Sequence, residues 1–177
     1  MTKLCRTSGK RYWALALLLC LGWLPGGIQA ASDDDDELPP VELLEARDFA
    51  ALAGSGKLDR RPLLLAFVAD YCHFCKTIEE EYLKPMLRNR DYDDKVVIRL
   101  FRLDTPEPVT DFDGKQVAVD EFAARYGAKL TPTVVFLDGK GREAAPKIVG
   151  VTNIEYYGGF LDDGIDNALG KISPRHR

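Results

Sequence analysis

The sequence has few histidine and sulfur-containing side chains, the usual ligands of zinc and copper. Its 177 residues include only two histidines, four cysteines and two methionines. Zinc sites in proteins use about four ligands, and copper sites draw on histidine and soft sulfur ligands. His176 lies at the far end of the chain from His73, and Lys76 follows Cys75 where a haem attachment motif would have histidine. We therefore expect neither a metal site nor another cofactor.

The sequence also lacks an apolar run long enough to span a membrane comfortably. The run from Tyr12 to Leu24 is thirteen residues, against about 20 for a membrane helix. It follows four basic residues, and it precedes Pro25-Gly26-Gly27 and a small residue, Ala30. This pattern is typical of a secretory signal peptide. We predict that residues 1–30 are a signal peptide cut after Ala30, with an uncleaved anchor as the alternative.

Positive charge is in deficit. The net charge is −4, and it becomes −8 without residues 1–30, which contain four basic residues and no acidic one. An acidic chain is a poor partner for nucleic acid or an anionic membrane surface. The run Ser32–Glu37 is nearly all acidic and predicts a flexible spacer over 31–39. The remainder suits one domain over 40–170 and a disordered tail over 171–177.

Removal of the signal peptide leaves Cys72 and Cys75 as the only cysteines. A disulfide that closes so short a loop constrains the unfolded chain little, so the pair is not a structural scaffold. An apolar run, 63–68, leads into the pair and a helix-compatible segment, 77–83, leads out. Residues three apart lie on one helix face, and a helix N-terminus favours a thiolate. We predict a buried strand, a tight junction and a helix that begins with a redox pair.

The remaining pattern predicts further elements along the chain. Asp113-Gly114 indicates a hairpin turn, and Thr152 with Glu155 suggests a capping box for the last helix. We expect the helix from Cys72 to run to about Leu83, where Pro85 ends or kinks it. The other predicted elements are strands at 41–43, 96–103, 134–137 and 142–149, and helices at 48–52, 119–126 and from Ile154 to Leu169.

This element order resembles the thioredoxin superfamily. The resemblance runs from about Pro40 to Leu169 and is carried by the Cys-x-x-Cys motif and by Thr131-Pro132-Thr133 before a later strand. The motifs are similar to those of periplasmic thioredoxin-related proteins of sulfur-oxidation clusters, with kinship to the C-terminal domain of the transmembrane thiol:disulfide interchange protein. The resemblance implies an α/β thioredoxin fold: a central mixed sheet flanked by helices, with an irregular insertion before the third helix.

The resemblance also implies roles for individual residues. Cys72 is then the nucleophile and Cys75 the resolving thiol. Pro132 is then a cis proline that, with Thr131 and Tyr71, contributes to substrate binding; an ordinary trans proline is the alternative.

The two residues between the cysteines are expected to tune the site. A protonated His73 would add positive charge beside Cys72 and favour its thiolate. Phe74 would form part of an apolar rim for the substrate. The alternatives are a solvated imidazole with little effect for His73 and simple packing for Phe74.

Two positions depart from the family pattern. Many thioredoxins have a buried aspartate six residues before the first cysteine and a partner lysine on the next strand. Ala66 and Leu100 occupy these positions here. The usual proton acceptor for the resolving thiol is therefore absent, and Asp70, Glu79 or water are the candidates to replace it.

These observations favour an exported thiol:disulfide oxidoreductase in the periplasm. We expect it to be a monomer that reduces disulfides of other exported proteins and is recharged by a membrane electron donor. One alternative is an oxidant or isomerase with the same chemistry. Another is a non-catalytic binding module whose cysteines form a static disulfide or bind a metal.

Overall fold

The computed structural model describes residues 40–173 of the chain. The predicted signal peptide, the predicted spacer and residues 174–177 lie outside the described residues. Within them, no helix is both long and apolar enough to cross a lipid bilayer.

A four-stranded mixed sheet forms the centre of the fold. Its order is β2-β1-β5-β6, with β1 parallel to β2 and antiparallel to β5, and with β6 antiparallel to β5. Every residue of β1 is buried, which explains why that run is apolar throughout rather than alternating. The six strands are β1 (Leu63–Val68), β2 (Val97–Arg102), β3 (Val109–Thr110), β4 (Gln116–Val117), β5 (Thr133–Leu137) and β6 (Glu143–Val149).

Helices cover both faces of the sheet, and each face has its own apolar core. One core joins Cys75 and Ile78 to the last helix through Tyr157, Leu161 and Ile165. The other is rich in aromatic rings and includes Phe49. The helices are α1 (Phe49–Gly54), α2 (His73–Ile78), α3 (Lys84–Arg88), α4 (Val119–Arg125) and α5 (Tyr157–Ile172). The central mixed sheet flanked by helices confirms the predicted fold class.

The sequence predicts an irregular insertion before the third helix, which is α4 of the structure. This insertion contains a small hairpin. Its strands β3 and β4 pair with each other around Asp113-Gly114, as predicted. Phe112 packs on Phe49, with ring centroids 5.1 Å apart. Gly141 has a φ of 75°, and a Cβ there would lie 2.4 Å from the Phe112 ring. The insertion is therefore packed against the domain body.

The helix that follows Cys72 does not end near Leu83, so the expected end there is wrong. It continues through a π-helical segment, Glu79–Leu83, into α3. Pro85 is the second residue of α3 and therefore lies inside a continuous run of helical residues, where its missing amide costs the helix one hydrogen bond.

Two other local predictions were wrong. Residues 41–43 form no strand; Glu45 makes only an isolated parallel bridge with Leu100. Thr152 and Glu155 do not cap the last helix, because α5 begins at Tyr157 and its N-cap residue makes no side-chain hydrogen bond. That helix ends at Ile172, two residues past the predicted domain boundary.

Candidate active site

Cys72 and Cys75 form a disulfide at the start of α2, with an S–S distance of 2.18 Å and Cα atoms 5.3 Å apart. Cys72 is the N-cap residue of the helix, and its Sγ accepts a hydrogen bond from the Cys75 amide at 3.1 Å. A backbone donor aimed at this sulfur favours a thiolate there once the disulfide is reduced.

The two sulfurs differ in exposure. Cys75 is 1% exposed and belongs to the core on the α2 side of the sheet. Cys72 is only half-buried and packs at the edge of that core. The more exposed cysteine is thus the one that the resemblance assigns as the nucleophile, and the order of attack and resolution stays a prediction.

Pro132 precedes β5 at the end of the sheet where β1 leads into the disulfide. The Thr131–Pro132 peptide bond is cis, as predicted. Thr133, which follows it, pairs with Phe67 near the end of β1, three residues before the chain reaches Asp70. Pro132 itself is buried and its carbonyl accepts a hydrogen bond from the Gly150 amide at 2.8 Å.

Aromatic side chains flank the half-buried Cys72 in the sequence. Tyr71 is 80% exposed and Phe74 is 51% exposed, and the rings of His73 and Phe74 are 5.8 Å apart. Thr131, which precedes Pro132 in the sequence, is half-buried. Large exposed apolar groups around a reactive sulfur suit the docking of a protein segment. The roles of these residues in binding or tuning stay predictions.

The sheet beneath the site is apolar where the sequence analysis noted the departure. Ala66 and Leu100 are paired in the parallel ladder of β1 and β2, and both are buried. No titratable side chain takes the place of the usual acid and lysine at this pair.

A charged cluster instead lies where β1 and β2 end, and sequence reasoning missed it. The Arg102 guanidinium donates to Glu45 Oε1 and to Asp70 Oδ1, both at 2.6 Å. Asp104 Oδ2 accepts from the Asp70 amide at 2.7 Å. These residues are far apart in the sequence, so no pattern within one element indicates that they meet.

Glu79 belongs to the same neighbourhood. Burial raises its pKa above the usual value, while the positive charge of Arg102 opposes that rise. Glu79 follows Cys75 by one helical turn, and its amide donates to the Cys75 carbonyl. Of the three substitutes for the missing acid, Glu79 is therefore half-buried and next to the resolving cysteine, whereas Asp70 is exposed and bonded to Arg102.

Across residues 40–173 no group of three or more histidine, cysteine or carboxylate side chains is placed to hold a metal ion. The chemistry that the arrangement supports is sulfur exchange, with an accessible sulfur, a sheltered one and a neighbouring apolar surface.

Comparisons with known proteins agree with this geometry. The thioredoxin-like domain family model matches residues 51–165. The DsbH oxidoreductase structure is 16% identical, with a TM-score of 0.51 over 77% of this chain and 96% of that chain. The germline-specific thioredoxin Deadhead of Drosophila melanogaster is 21% identical, with a TM-score of 0.47 over 68% of this chain and 98% of that one. The periplasmic thioredoxin SoxS of Paracoccus pantotrophus is 17% identical, with a TM-score of 0.42 over 60% and 98%. None of the curated proteins matches the chain.

Proposed function

Because the chain belongs to the thioredoxin-like domain family, we propose that it is an exported thiol:disulfide oxidoreductase that reduces disulfides of other exported proteins. The observation that carries the proposal is the unequal exposure of the two bonded sulfurs, Cys72 half-buried and Cys75 at 1%. The basic and apolar start of the sequence supports export to the periplasm.

The reaction follows from the positions of the two sulfurs. In the reduced protein the Cys72 thiolate attacks one sulfur of the substrate disulfide, and the other substrate sulfur leaves as a thiolate that takes up a proton. The Cys75 thiol then loses its proton and attacks the Cys72 sulfur, which releases the second substrate thiol. Two electrons pass to the substrate, and the protein is left with the Cys72–Cys75 disulfide.

A further cycle requires re-reduction of that disulfide. We propose a membrane protein as the electron donor, since an exported domain has no access to cytosolic reductants. The exposed aromatic rim of Tyr71 and Phe74 is the surface offered to both the donor and the substrates. We expect the protein to act as a monomer.

Reduction of insulin disulfides in the presence of dithiothreitol tests the chemistry. We expect activity from the wild type and none from Cys72→Ser. Cys75→Ser that is reduced, freed of dithiothreitol and then mixed with insulin should accumulate a mixed disulfide, because its Cys72 attacks and no second thiol releases it. Cys72→Ser with wild-type activity would falsify the proposal. A disulfide that resists exchange under mild reductant would instead favour the static binding module.

The direction of electron flow needs its own measurement. We expect the Cys72–Cys75 couple, equilibrated with glutathione, to have a reduction potential nearer thioredoxin, about −270 mV, than a strong oxidant, about −120 mV. A value at the oxidising end would make the protein an oxidant or isomerase.

A further inference from the structure

Arg102 connects three parts of the chain beside the disulfide. Its Nε donates to Glu45 in the segment before α1, and its Nη1 donates to Asp70, two residues before Cys72. Asp70 is also held through its backbone, since its amide donates to Asp104 just after β2. The turn that carries Cys72 is therefore fixed to the end of β2.

The pleat of β2 places Arg102 on the same side of the sheet as α2. Ile98 and Leu100 belong to the core that contains Cys75, whereas Val97 and Phe101 belong to the opposite core. Arg102 has the parity of Ile98 and Leu100. Arg99 has the other parity, so it lies on the opposite face of the same strand.

Carboxylates outnumber cations around this guanidinium. Glu45 and Asp70 bond to it, and Glu79 is close enough for the two charges to perturb each other. The other charged groups that act on Glu79 are Asp70 and, in its own helix, Glu80 and Lys84, which pair with each other at 2.6 Å. Without Arg102, Glu45 and Asp70 would lose the cation bonded to them, and Glu79 would lose the positive charge that opposes the rise of its pKa.

We propose that Arg102 is a positioning residue of the redox site whose positive charge offsets Glu45, Asp70 and Glu79 and so favours the Cys72 thiolate. The inference rests on the proposed function, in which that thiolate is the attacking group. A positive charge near a thiolate stabilises the reduced state. In this chain the cation lies at the end of β2. The two paired positions where the family has an acid and a lysine are occupied by Ala66 and Leu100.

Two substitutions separate the charge of Arg102 from its hydrogen bond. Arg102→Gln and Asp70→Asn weaken the same contact, the 2.6 Å bond between the two side chains. The first removes a positive charge and the second a negative one. If the charge matters, the pKa of Cys72 rises in the first variant and falls in the second. If the contact only holds the turn in place, both variants change the pKa of Cys72 in the same direction.

The experiment measures how fast iodoacetamide alkylates Cys72 from pH 4 to 10 in the full chain with Cys75→Ser, following the Cys72 peptide by mass spectrometry. Because the charges are partly exposed, we expect the pKa of Cys72 to rise by about half a unit in Arg102→Gln and to fall by a similar amount in Asp70→Asn. Both shifts should shrink at about 1 M salt, where the screening length is about 3 Å. The double variant Arg102→Gln/Asp70→Asn should return to near the wild-type value.

Arg99→Gln is the matched control, since it removes the same charge from the same strand on the other face, and it should leave the pKa of Cys72 unchanged. Arg102→Lys keeps the charge with a poorer fit to the two carboxylates, and it should remain near the wild type. If Arg102→Gln does not fold, Asp70→Asn still tests the sign, because a charge effect lowers the pKa of Cys72 in that variant, and Arg102→Lys tests the geometry of the contact at constant charge.

With both cysteines present, Arg102→Gln should shift the glutathione equilibrium about threefold towards the disulfide, as expected for a less stable thiolate. Shifts of one sign in Arg102→Gln and Asp70→Asn, or none in either, would overturn the inference even if the wild type exchanges disulfides normally. A wild type that does not exchange disulfides at all would overturn the proposed function instead, whatever the pKa of Cys72.

Discussion

Ala66 of β1 and Leu100 of β2 are direct partners in the parallel ladder, and together they make the floor of the redox site apolar. The resemblance to thioredoxins places an aspartate and a lysine at these two positions. Ionised groups at such a pair lower the stability of the domain unless they are well matched, because both must leave water. The present chain has no such pair at these positions. A cluster of charges lies instead at the end of β2, around Arg102.

Ala66→Asp should therefore lower stability. We expect a loss of about 3 kcal/mol in the free energy of unfolding at pH 7, because the new carboxylate is buried without a partner. Burial raises the pKa of an acid in the folded state. The folded protein then binds the proton more tightly than the unfolded chain, so the loss is small below about pH 4 and grows as the pH rises.

Urea unfolding of Ala66→Asp at several pH values measures this effect. Ala66→Asn is the control, since it adds a similar polar side chain that does not titrate in this range, and its loss should not depend on pH. Equal pH dependence in the two variants would contradict an apolar floor.

Gly164→Ala should destabilise the domain through overpacking. A Cβ on Gly164 would lie 2.1 Å from the ring of Phe136, which is fully buried and cannot swing away. We expect a loss of about 2 kcal/mol in the free energy of unfolding. Gly159→Ala in the same helix has open space around its Cβ, so it should be neutral or stabilising by up to about 1 kcal/mol. Thermal unfolding of both variants distinguishes packing from helix propensity.

Tyr157→Phe should be neutral or stabilising by about 1 kcal/mol. The Tyr157 hydroxyl is buried and has no hydrogen-bond partner among residues 40–173, so its removal relieves a desolvation cost. Tyr82→Phe is the matched comparison, because the Tyr82 hydroxyl donates to the Ile154 carbonyl. That variant should lose about 1 kcal/mol. Urea unfolding that shows the reverse order would contradict the bonding described for these two hydroxyls.

Tyr92 should titrate well above the usual tyrosine pKa. Its hydrogen bond to Asp162, 2.6 Å long, raises the pKa of Tyr92 to about 12, and partial burial adds to the rise. In Asp162→Asn the pKa of Tyr92 should fall towards 10. Because the folded-state pKa is raised, the stability that this pair contributes is intact below about pH 10 and is lost as the pH rises through about 12. Absorbance at 295 nm during an alkaline titration, with Tyr92→Phe as the blank, measures the shift.

The sequence predicts the central elements well because their signals are local. β1 is apolar at each position and occupies the residues expected for it, and Asp113-Gly114 forms the expected hairpin turn. The cysteine spacing and the Thr131-Pro132 pair likewise predict the disulfide and the cis peptide bond.

The errors and omissions lie where distant parts of the chain determine the outcome. The helix continues past Pro85, and a π-helical segment precedes that proline. No residue pattern in Glu79–Leu83 predicts that geometry. Glu45, Asp70 and Arg102 are scattered over nearly sixty residues, and only the ends of β1 and β2 bring them together. No residue pattern within one element indicates such a cluster.

The strand order also determines when the site comes into existence. β1 lies between β2 and β5, and β5 begins 61 positions after Cys72. A chain synthesised only as far as α4 would hold both cysteines but lack Pro132, the strand that seats it and the helix that covers Cys75 from the other end of the sequence. Long-range pairings of this kind form late in folding, because they close large loops. Until the C-terminal third of the domain has folded, Cys75 lacks the helix that buries it, so the difference in exposure between Cys72 and Cys75 is a property of the finished domain alone.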